Sequence, residues 1–104
     1  MRRGEVWWAD LPKPLSRRPV LLLSRDAAYR VRRSITVAPL TRTVFGIASE
    51  VPLGPEDGLP SPCVANLDNL LTIPKRLLLH RLADVPPEKM RDVERAIRFA
   101  LDLK

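Results

Sequence analysis

The apolar residues of this chain are grouped in short runs that fit β-strands, and only the last group fits a helix. The clearest run, within residues 19–24, has no polar alternation and predicts a strand that is covered on both faces. Proline- and glycine-containing turns separate it from further strand-like segments. These segments are residues 4–11, 34–40, 50–53, 63–67, 70–73 and 77–82.

The spacing of apolar residues changes after Pro86 and Pro87, two residues that are typical of a helix start. Apolar side chains then recur at steps of three and four residues, with charged residues between them. They are Met90, Val93, Ile97 and Ala100 or Leu101. We therefore expect an amphipathic helix lying over a sheet, and a mainly β fold of one domain, residues 1–104, built as a small barrel or strongly bent sheet.

Two features of the strands restrict how they can be placed. Pro39 has no backbone N–H to donate, which favours a sheet edge or a bulge at that position. Trp7 and Trp8 are adjacent and cannot face the same side of a strand. One of them is expected in the core, and the other at a rim, a dimer contact or a base-stacking surface.

Length and composition set broad limits. A chain of 104 residues forms a core only near the lower end of comfortable size, so dimerisation would help it. No apolar run approaches the ~18 residues that a membrane span needs, and no secretory signal pattern follows Met1, so we expect a soluble, cytoplasmic protein without membrane contact. The single cysteine, Cys63, excludes an intramolecular disulfide and is expected to be a buried strand residue.

Positive charge is concentrated in the first half of the chain. The net charge is +6, and residues 1–45 contain ten basic side chains, nine of them arginine, against three acidic ones. Residues 46–104 contain eight basic and nine acidic side chains. An arginine-rich first half predicts a polyanionic partner, because the planar guanidinium suits phosphate. Arg30, Arg32 and Arg33 form either a solvated face or part of a nucleic-acid path.

Several reaction classes lack their side chains in this sequence. There is no glycine-rich phosphate loop, HExxH motif, serine elbow or paired CxxC. His80 is the only histidine, which excludes a two-histidine nuclease within one chain, and its apolar neighbours predict a structural role. Asp68 is the only acid between Asp57 and Asp84, which disfavours a two-metal site. We therefore expect no metal and no cofactor.

Arginine and hydroxyl groups at two strand ends provide the remaining chemistry. Arg17 and Arg18 stand immediately before one predicted strand, and Thr41 and Arg42 stand at the end of the next. RNA supplies its own nucleophile, the 2′-hydroxyl, so a protein needs only to align that oxygen and stabilise the extra negative charge at phosphorus. Arg18 could hold two phosphoryl oxygens and Thr41 a third. We therefore predict that the strand ends meet in a basic pocket for a phosphodiester.

Short segments spread in order over nearly the whole chain resemble the MazF/PemK toxin family of bacterial toxin–antitoxin systems. They are Arg3-Gly4-Glu5-Val6-Trp7 with Asp10-Leu11, Arg17-Arg18-Pro19-Val20-Leu21-Leu22-Leu23-Ser24, Ile35-Thr36-Val37-Ala38-Pro39-Leu40-Thr41, Glu50-Val51-Pro52-Leu53, Leu67-Asp68-Asn69 with Thr72-Ile73, and the terminal amphipathic segment. The resemblance implies an SH3-like barrel that forms a homodimer. It also implies a metal-independent, sequence-specific endoribonuclease that cleaves single-stranded RNA to a 2′,3′-cyclic phosphate and a 5′-hydroxyl and is inhibited by a cognate antitoxin protein.

The resemblance also assigns residues. Arg18 and Thr41 match the expected catalytic pair, and Asp68 matches an RNA contact or a residue that supports one. Together with Asp68, the neighbouring Arg17, Arg42 and Asn69 are candidate RNA-binding residues. The segment 12–16 is shorter than in many members and contains no acid, and Asn66 stands where some members have arginine, so no general base is assigned.

Two other functions remain open from the sequence. A non-catalytic, basic SH3-like nucleic-acid-binding module would account for the charge and the strands without any chemistry. A gyrase inhibitor similar to the CcdB toxins would keep the fold and change the target. Fold alone does not distinguish these functions from the nuclease.

Overall fold

The structure is a computed structural model that describes residues 1–104 and consists of seven strands and two helices. Short 3₁₀ turns occur at Pro55–Asp57 and Lys75–Leu77. In chain order the elements are β1 (Glu5–Asp10), β2 (Arg17–Leu22), α1 (Ala28–Val31), β3 (Ser34–Thr41), β4 (Glu50–Leu53), β5 (Cys63–Asn66), β6 (Leu71–Pro74), β7 (Leu78–Asp84) and α2 (Pro87–Ala100).

All strand pairs are antiparallel, and the strands follow the order β4-β5-β3-β2-β1-β7, with β6 pairing to β3 beside this path. The predicted mainly β, SH3-like fold with a C-terminal helix is therefore confirmed. The two end strands, β4 and β7, do not pair with each other, so the sheet does not close into a complete barrel. Strand β3 is the centre of the sheet, because it pairs with β2, β5 and β6.

Pro39 lies inside this central strand and no register shift occurs at it, so neither the expected sheet edge nor the expected bulge is found there. On one side, β3 pairs with β6 as far as Val37 and with β5 from Leu40 onward. Pro39 falls in the gap between these two partners. On the side of β3 that faces β2, Pro39 lies opposite Val20, and these two residues form the last pair of the β2–β3 ladder. A residue without an N–H fits such a gap, because no partner there needs its hydrogen bond.

Alternate residues of the strands pack into two separate cores. Leu21 belongs to the core that includes Val93 and Ala96 of α2, which we call the helix-side core. Val20 and Leu22 belong to the second core, on the opposite face of the sheet. The prediction that residues 19–24 are covered on both faces is confirmed, because successive side chains of a strand point to opposite faces.

The terminal helix begins at Pro87, as predicted, and packs its apolar side on the helix-side core. Val93 is fully buried, and Ala96, which the apolar spacing did not single out, is also buried. Leu101 lies beyond the end of the helix and is 52% exposed, so Ala100 rather than Leu101 completes the packed side. Neither helix has the length and apolar composition that crossing a bilayer requires.

Four side chains have environments that bear on the sequence predictions. His80 is exposed on β7, because β7 is an end strand whose outer side chains reach solvent, and its structural role stays a prediction. Cys63 is only partly buried on β5. Neither tryptophan is fully buried: Trp7 packs against the second core and its Nε1 donates to Glu5 Oε1 at 3.0 Å, whereas Trp8 faces the opposite side.

Candidate active site

Arg18 and Thr41 lie at a point where two neighbouring strands separate. The ladder between β2 and β3 ends at the pair Val20 and Pro39, and the same register continued by two residues sets Arg18 opposite Thr41. Beyond the ladder, Arg18 pairs only with Ala9 of β1, and Thr41 pairs with Val64 of β5. The opening between the separating strands is therefore lined by a guanidinium on one side and a hydroxyl on the other.

Two grooves meet at this opening, and Arg18 and Thr41 are the only residues that line both. The first, which we call the Trp8 groove, has a volume of about 280 Å³. Its other lining residues include Trp8, Arg17, Arg42, Leu59, Ser61 and Cys63. The second, the Asp68 groove, has a volume of about 480 Å³. It is also lined by Leu15, Thr43, Phe45, Asn66, Asp68 and Asn69.

The period-two alternation of the strands explains this division. Arg17 is four residues before Leu21 on β2, and Arg42 is two residues after Leu40 of β3. Because successive side chains alternate between the two faces of a strand, both arginines lie on the face of the helix-side core. Both line the Trp8 groove. Arg18 follows the face of Val20, which belongs to the second core. The structure thus brings Arg17 and Arg42 together on one side of the catalytic candidates.

The Arg18 side chain is fixed at one nitrogen and free at the other two. Its Nε donates to the Leu15 carbonyl oxygen at 3.0 Å, and it has no other hydrogen bond and no salt bridge to a carboxylate. The side chain is partly buried. A guanidinium held at Nε presents its terminal nitrogens as a fork, which is the geometry that binds two phosphate oxygens.

The Thr41 hydroxyl has one defined partner. The backbone N–H of Thr43 donates to Thr41 Oγ1 at 3.1 Å, so the oxygen acts as an acceptor. Its own O–H has no acceptor within the protein and is available to donate. Both members of the pair therefore offer unused donors to the opening between the strands.

The flanking arginines carry further donors. Arg17 is exposed, with its Nε 3.8 Å from Asp10 Oδ1, and Arg42 is exposed, with its Nη2 donating to Ser61 Oγ at 3.2 Å. Each guanidinium has five N–H groups, so most donors of both remain free. The Trp8 groove is therefore strongly positive, and no carboxylate lines it.

Asp68 and Asn69 form the turn between β5 and β6. The Asp68 N–H donates to Asn66 Oδ1 at 2.9 Å, and the hydroxyl of the fully buried Ser49 donates to Asp68 Oδ2. The Asn69 N–H donates to the Asn66 carbonyl oxygen at 3.2 Å. These bonds fix the turn, and Asp68 Oδ1 has no partner. Asp68 is the only carboxylate in either groove.

Cys63 lines the Trp8 groove without offering a nucleophile at neutral pH. Burial raises the pKa of its thiol, and the nearby carboxylate of Asp57 raises it further. The thiol is therefore a neutral part of the groove wall. The structure contains no group of three or more His, Cys, Asp or Glu side chains placed to hold a metal ion.

Sequence reasoning did not assign to the site several side chains that line the grooves, among them Trp8 as a specific residue, Phe45, Ser61 and Asn66. The strand register provides the signal for Trp8, which lies opposite Pro19, next to Arg18. For Phe45 and Ser61 the sequence offered only their location in turn-rich segments. All six sequence-predicted residues, in contrast, line at least one groove: Arg17, Arg18, Thr41, Arg42, Asp68 and Asn69.

Comparison with known proteins identifies a family and close relatives. Residues 2–101 match the family described as "PemK-like, MazF-like toxin of type II toxin-antitoxin system". The chain is 43% identical over 102 residues to the "Probable endoribonuclease MazF5" of Mycobacterium tuberculosis strain ATCC 25618 / H37Rv, with 96% of this chain and 92% of the relative covered.

Solved structures show the same fold. The structure described as "Mycobacterium tuberculosis toxin MazF-mt6" superimposes with a TM-score of 0.89 at 35% identity, covering 96% of this chain and 98% of that one. An "Endoribonuclease in complex with its cognate antitoxin from Mycobacterial species" superimposes with a TM-score of 0.89 at 32% identity, covering 100% of this chain and 97% of that one.

Proposed function

The chain belongs to the family of PemK-like, MazF-like toxins of type II toxin–antitoxin systems, and on that premise we propose that it is an endoribonuclease that cleaves single-stranded RNA. Its similarity to proteins named endoribonucleases supports the activity. The single observation that carries the proposal is that Arg18 and Thr41, each with unused donors, line both grooves at the point where the arginine-lined Trp8 groove meets the Asp68 groove.

The proposed reaction is an internal transfer at phosphorus. The 2′-oxygen of the nucleotide before the cut attacks the adjacent phosphorus, a bond from this oxygen to phosphorus forms, and the bond from phosphorus to the 5′-oxygen breaks. The 2′-hydroxyl loses a proton and the departing 5′-oxygen gains one. The products are a 2′,3′-cyclic phosphate and a 5′-hydroxyl.

Arg18 stabilises the extra negative charge of the pentacoordinate state. Its terminal nitrogens donate to two phosphoryl oxygens, while the Nε bond to the Leu15 carbonyl holds the fork in place before the substrate arrives. Arginine remains protonated at working pH, so this role is electrostatic and no proton is taken from its guanidinium. Such preorganised donors contribute more in the transition state than in the ground state, because charge develops there.

Thr41 supplies the third donor. Its hydroxyl oxygen accepts from the Thr43 N–H, which leaves the O–H free to donate to a group in the opening. A donor at this position can bind the remaining phosphoryl oxygen or the 5′-oxygen as it departs.

Arg17, Arg42, Asp68 and Asn69 bind the RNA on either side of the reacting phosphate. The two arginines would neutralise flanking phosphates, since both are exposed and line the Trp8 groove. Asp68 and Asn69 would contact base edges from the Asp68 groove. Reading base edges with side chains in grooves requires unpaired bases, which is why we propose a single-stranded substrate.

Two protein partners complete the proposal. A cognate antitoxin is proposed because the chain is similar to an endoribonuclease whose structure includes its antitoxin. A second copy of the chain is proposed because a domain of this size gains stability from association. The cytoplasm, where RNA is translated, is the proposed site of action.

End-group analysis of cleaved RNA tests the function. The purified protein, incubated with a long single-stranded RNA in EDTA, is expected to yield fragments with a 2′,3′-cyclic phosphate and a 5′-hydroxyl at a recurring sequence. RNA binding without any cut would support the non-catalytic binding module instead. Inhibited DNA supercoiling with intact RNA would support the gyrase inhibitor.

A further inference from the structure

We propose that Trp8 and Phe45 are base-stacking residues, one on each side of the phosphate held by Arg18 and Thr41, and that the two sides differ in the bases they accept. This proposal rests on the proposed RNA cleavage and goes further, because it assigns the two nucleotides joined by the cut bond to two different grooves. No catalytic role is given to either aromatic residue.

Trp8 lines the Trp8 groove only, and its environment differs from that of the adjacent tryptophan. Trp7 Nε1 donates to Glu5 Oε1 at 3.0 Å, and the Trp7 ring packs on the second core. Trp8 is partly exposed, belongs to neither core, and its indole N–H has no hydrogen-bond partner. An aromatic ring that lines a groove beside two arginines is suited to stack on a base, because every base has a π-face.

Phe45 lines the Asp68 groove only and is 69% exposed. An apolar ring at this exposure costs free energy in water unless a ligand covers it. Its backbone is nevertheless held in place, because the N–H groups of Phe45 and Gly46 donate to the Glu50 carboxylate at 3.1 and 2.8 Å. Gly46 has φ of 72°, in the left-handed region that glycine adopts without strain. The loop therefore presents the ring from a defined position.

The two rings are separated by the catalytic candidates. Arg18 and Thr41 line both grooves, whereas each aromatic ring lines one. A single phosphodiester connects two nucleosides, and a phosphate held at the shared residues leaves one base free to enter each groove. Splaying of unpaired bases onto aromatic rings is the usual way in which proteins recognise single-stranded RNA.

The chemistry of the grooves predicts different selectivity for the two bases. The charged groups of the Trp8 groove, Arg17 and Arg42, are donors and favour phosphates. The Asp68 groove contains a carboxylate that is fixed by Ser49 and leaves Oδ1 free to accept. A base with an exocyclic amino group, which adenine, cytosine and guanine have, can donate to it, whereas uracil offers only its N3–H, which is flanked by two carbonyl oxygens that the carboxylate repels. We therefore expect uracil to be disfavoured in the Asp68 groove and stacking without base choice in the Trp8 groove.

Abasic substrates test the assignment with the wild-type chain and matched variants. The substrates are a hexanucleotide that contains one mapped cut site and two versions with an abasic ribose immediately before or after the cut bond. The variants are Phe45→Ala, with Phe45→Tyr as the conservative change, and Trp8→Leu, with Trp8→Phe. Val44→Ala is the control, because Val44 is the neighbouring exposed residue and lines neither groove.

Loss of one stacked base corresponds to about a 5-fold to 150-fold change in affinity. Phe45→Ala and Trp8→Leu are therefore each expected to raise KM by a factor in this range with little change in kcat. Phe45→Tyr and Trp8→Phe, which keep a ring, should raise KM less, and the control Val44→Ala should keep the wild-type KM. Phe45→Ala should have the wild-type KM only on the substrate that lacks the base of the Asp68 groove, and Trp8→Leu only on the substrate that lacks the base of the Trp8 groove. The two variants should therefore match the wild type on different abasic substrates.

Other results overturn the proposal. The base-stacking assignment would be refuted, and the RNA cleavage left intact, by either of two results. In the first, the wild type cleaves and KM is unchanged in both variants. In the second, both variants respond to the same abasic position. Absence of any cleavage by the wild type would refute both. Trp8→Leu removes a partly buried ring, so a second readout keeps Trp8 in place. In a Trp7→Phe variant Trp8 is the only tryptophan. The fluorescence of this variant should be quenched by the intact hexanucleotide and not by the version that is abasic on the Trp8 side.

Discussion

Arg18 of β2 lies across from Thr41 of β3 in the continued register of the two strands, just beyond the last pair of their ladder. The ladder ends at Pro39, which has no N–H, and beyond it β3 pairs only on its other side, with β5. Two side chains that are distant in the sequence are thereby placed on either side of one opening. The separation of the strands both ends the sheet pairing and creates the opening that we propose holds the phosphate.

Replacing Arg18 is expected to reduce the chemical step more than binding. For Arg18→Ala we expect kcat to fall about 10² to 10³-fold, because one preorganised donor to the transition state is lost. Arg18→Lys should recover little, since an ammonium cannot donate as a fork. Single-turnover cleavage of a defined oligonucleotide gives the rate.

The neighbouring Arg17 provides the comparison. Arg17→Ala is expected to raise KM and to reduce the salt dependence of binding by about one phosphate contact, with kcat nearly unchanged. Equal losses of kcat in Arg17→Ala and Arg18→Ala would contradict the separate roles assigned to them.

At Thr41 the hydroxyl, rather than the shape of the side chain, is expected to matter. Thr41→Val keeps the volume and removes the donor, so we expect a loss of about 10² to 10³-fold in single-turnover rate. Thr41→Ser keeps the hydroxyl that accepts from the Thr43 N–H and should retain most activity. If the valine variant cleaved as fast as the serine variant, the donor role would be wrong.

Asp68 is expected to govern base preference rather than rate. Asp68→Asn replaces one acceptor oxygen with an amide donor, so we expect uracil to be tolerated in the Asp68 groove at about 1 to 3 kcal/mol less cost than in the wild type. Ser49→Ala should have a weaker effect in the same direction, because it removes the hydroxyl that fixes the carboxylate. Sequencing the cleaved ends of a randomised RNA pool measures the preference, and an unchanged pattern in Asp68→Asn would exclude this role.

Glu5 is expected to make folding stability depend on pH, outside the site. Burial acts to raise the pKa of its carboxyl, but hydrogen bonds from Trp7 Nε1 and the Arg2 N–H, together with the terminal amino group and Arg81, lower it overall. A folded-state pKa below the unfolded value means that the stabilisation is complete above the unfolded pKa and is lost as the pH falls through the folded one.

Denaturant unfolding of the wild type and Glu5→Gln checks this sign. Near neutral pH the wild type should be more stable by about 1 to 3 kcal/mol, because the buried carboxylate accepts both donors. The difference should shrink from about pH 5 to about pH 3. A difference that is constant over this range would show that ionisation of Glu5 does not contribute.

Much of the fold could be predicted from the sequence because its signals are local. The unbroken apolar run of β2, the proline-initiated α2 and the turn residues between strands each depend on neighbouring residues. The partner of each strand depends on distant contacts, and this is why Pro39 was expected at an edge or a bulge and is found in the central strand. The exposure of His80 could not be predicted for a similar reason, since the exposure of an end strand depends on the order of the whole sheet.

The candidate site could likewise be predicted from the sequence only in part. Arg18 and Thr41 were predictable because both stand at strand ends beside basic or hydroxyl neighbours. The two grooves were not, because their walls combine residues from loops with no shared pattern, such as Phe45 from the segment before β4 and Ser61 from the segment before β5.

A double-mutant cycle tests most directly whether Arg18 and Thr41 act on one phosphate. Single-turnover rates are measured for the wild type, Arg18→Ala, Thr41→Val and the double variant on the same oligonucleotide, with circular dichroism to verify folding. If both side chains stabilise the same pentacoordinate phosphorus, the double variant should lose much less than the product of the two single losses. A double variant whose loss equals that product, or one that still cleaves at the wild-type rate, would contradict the shared site.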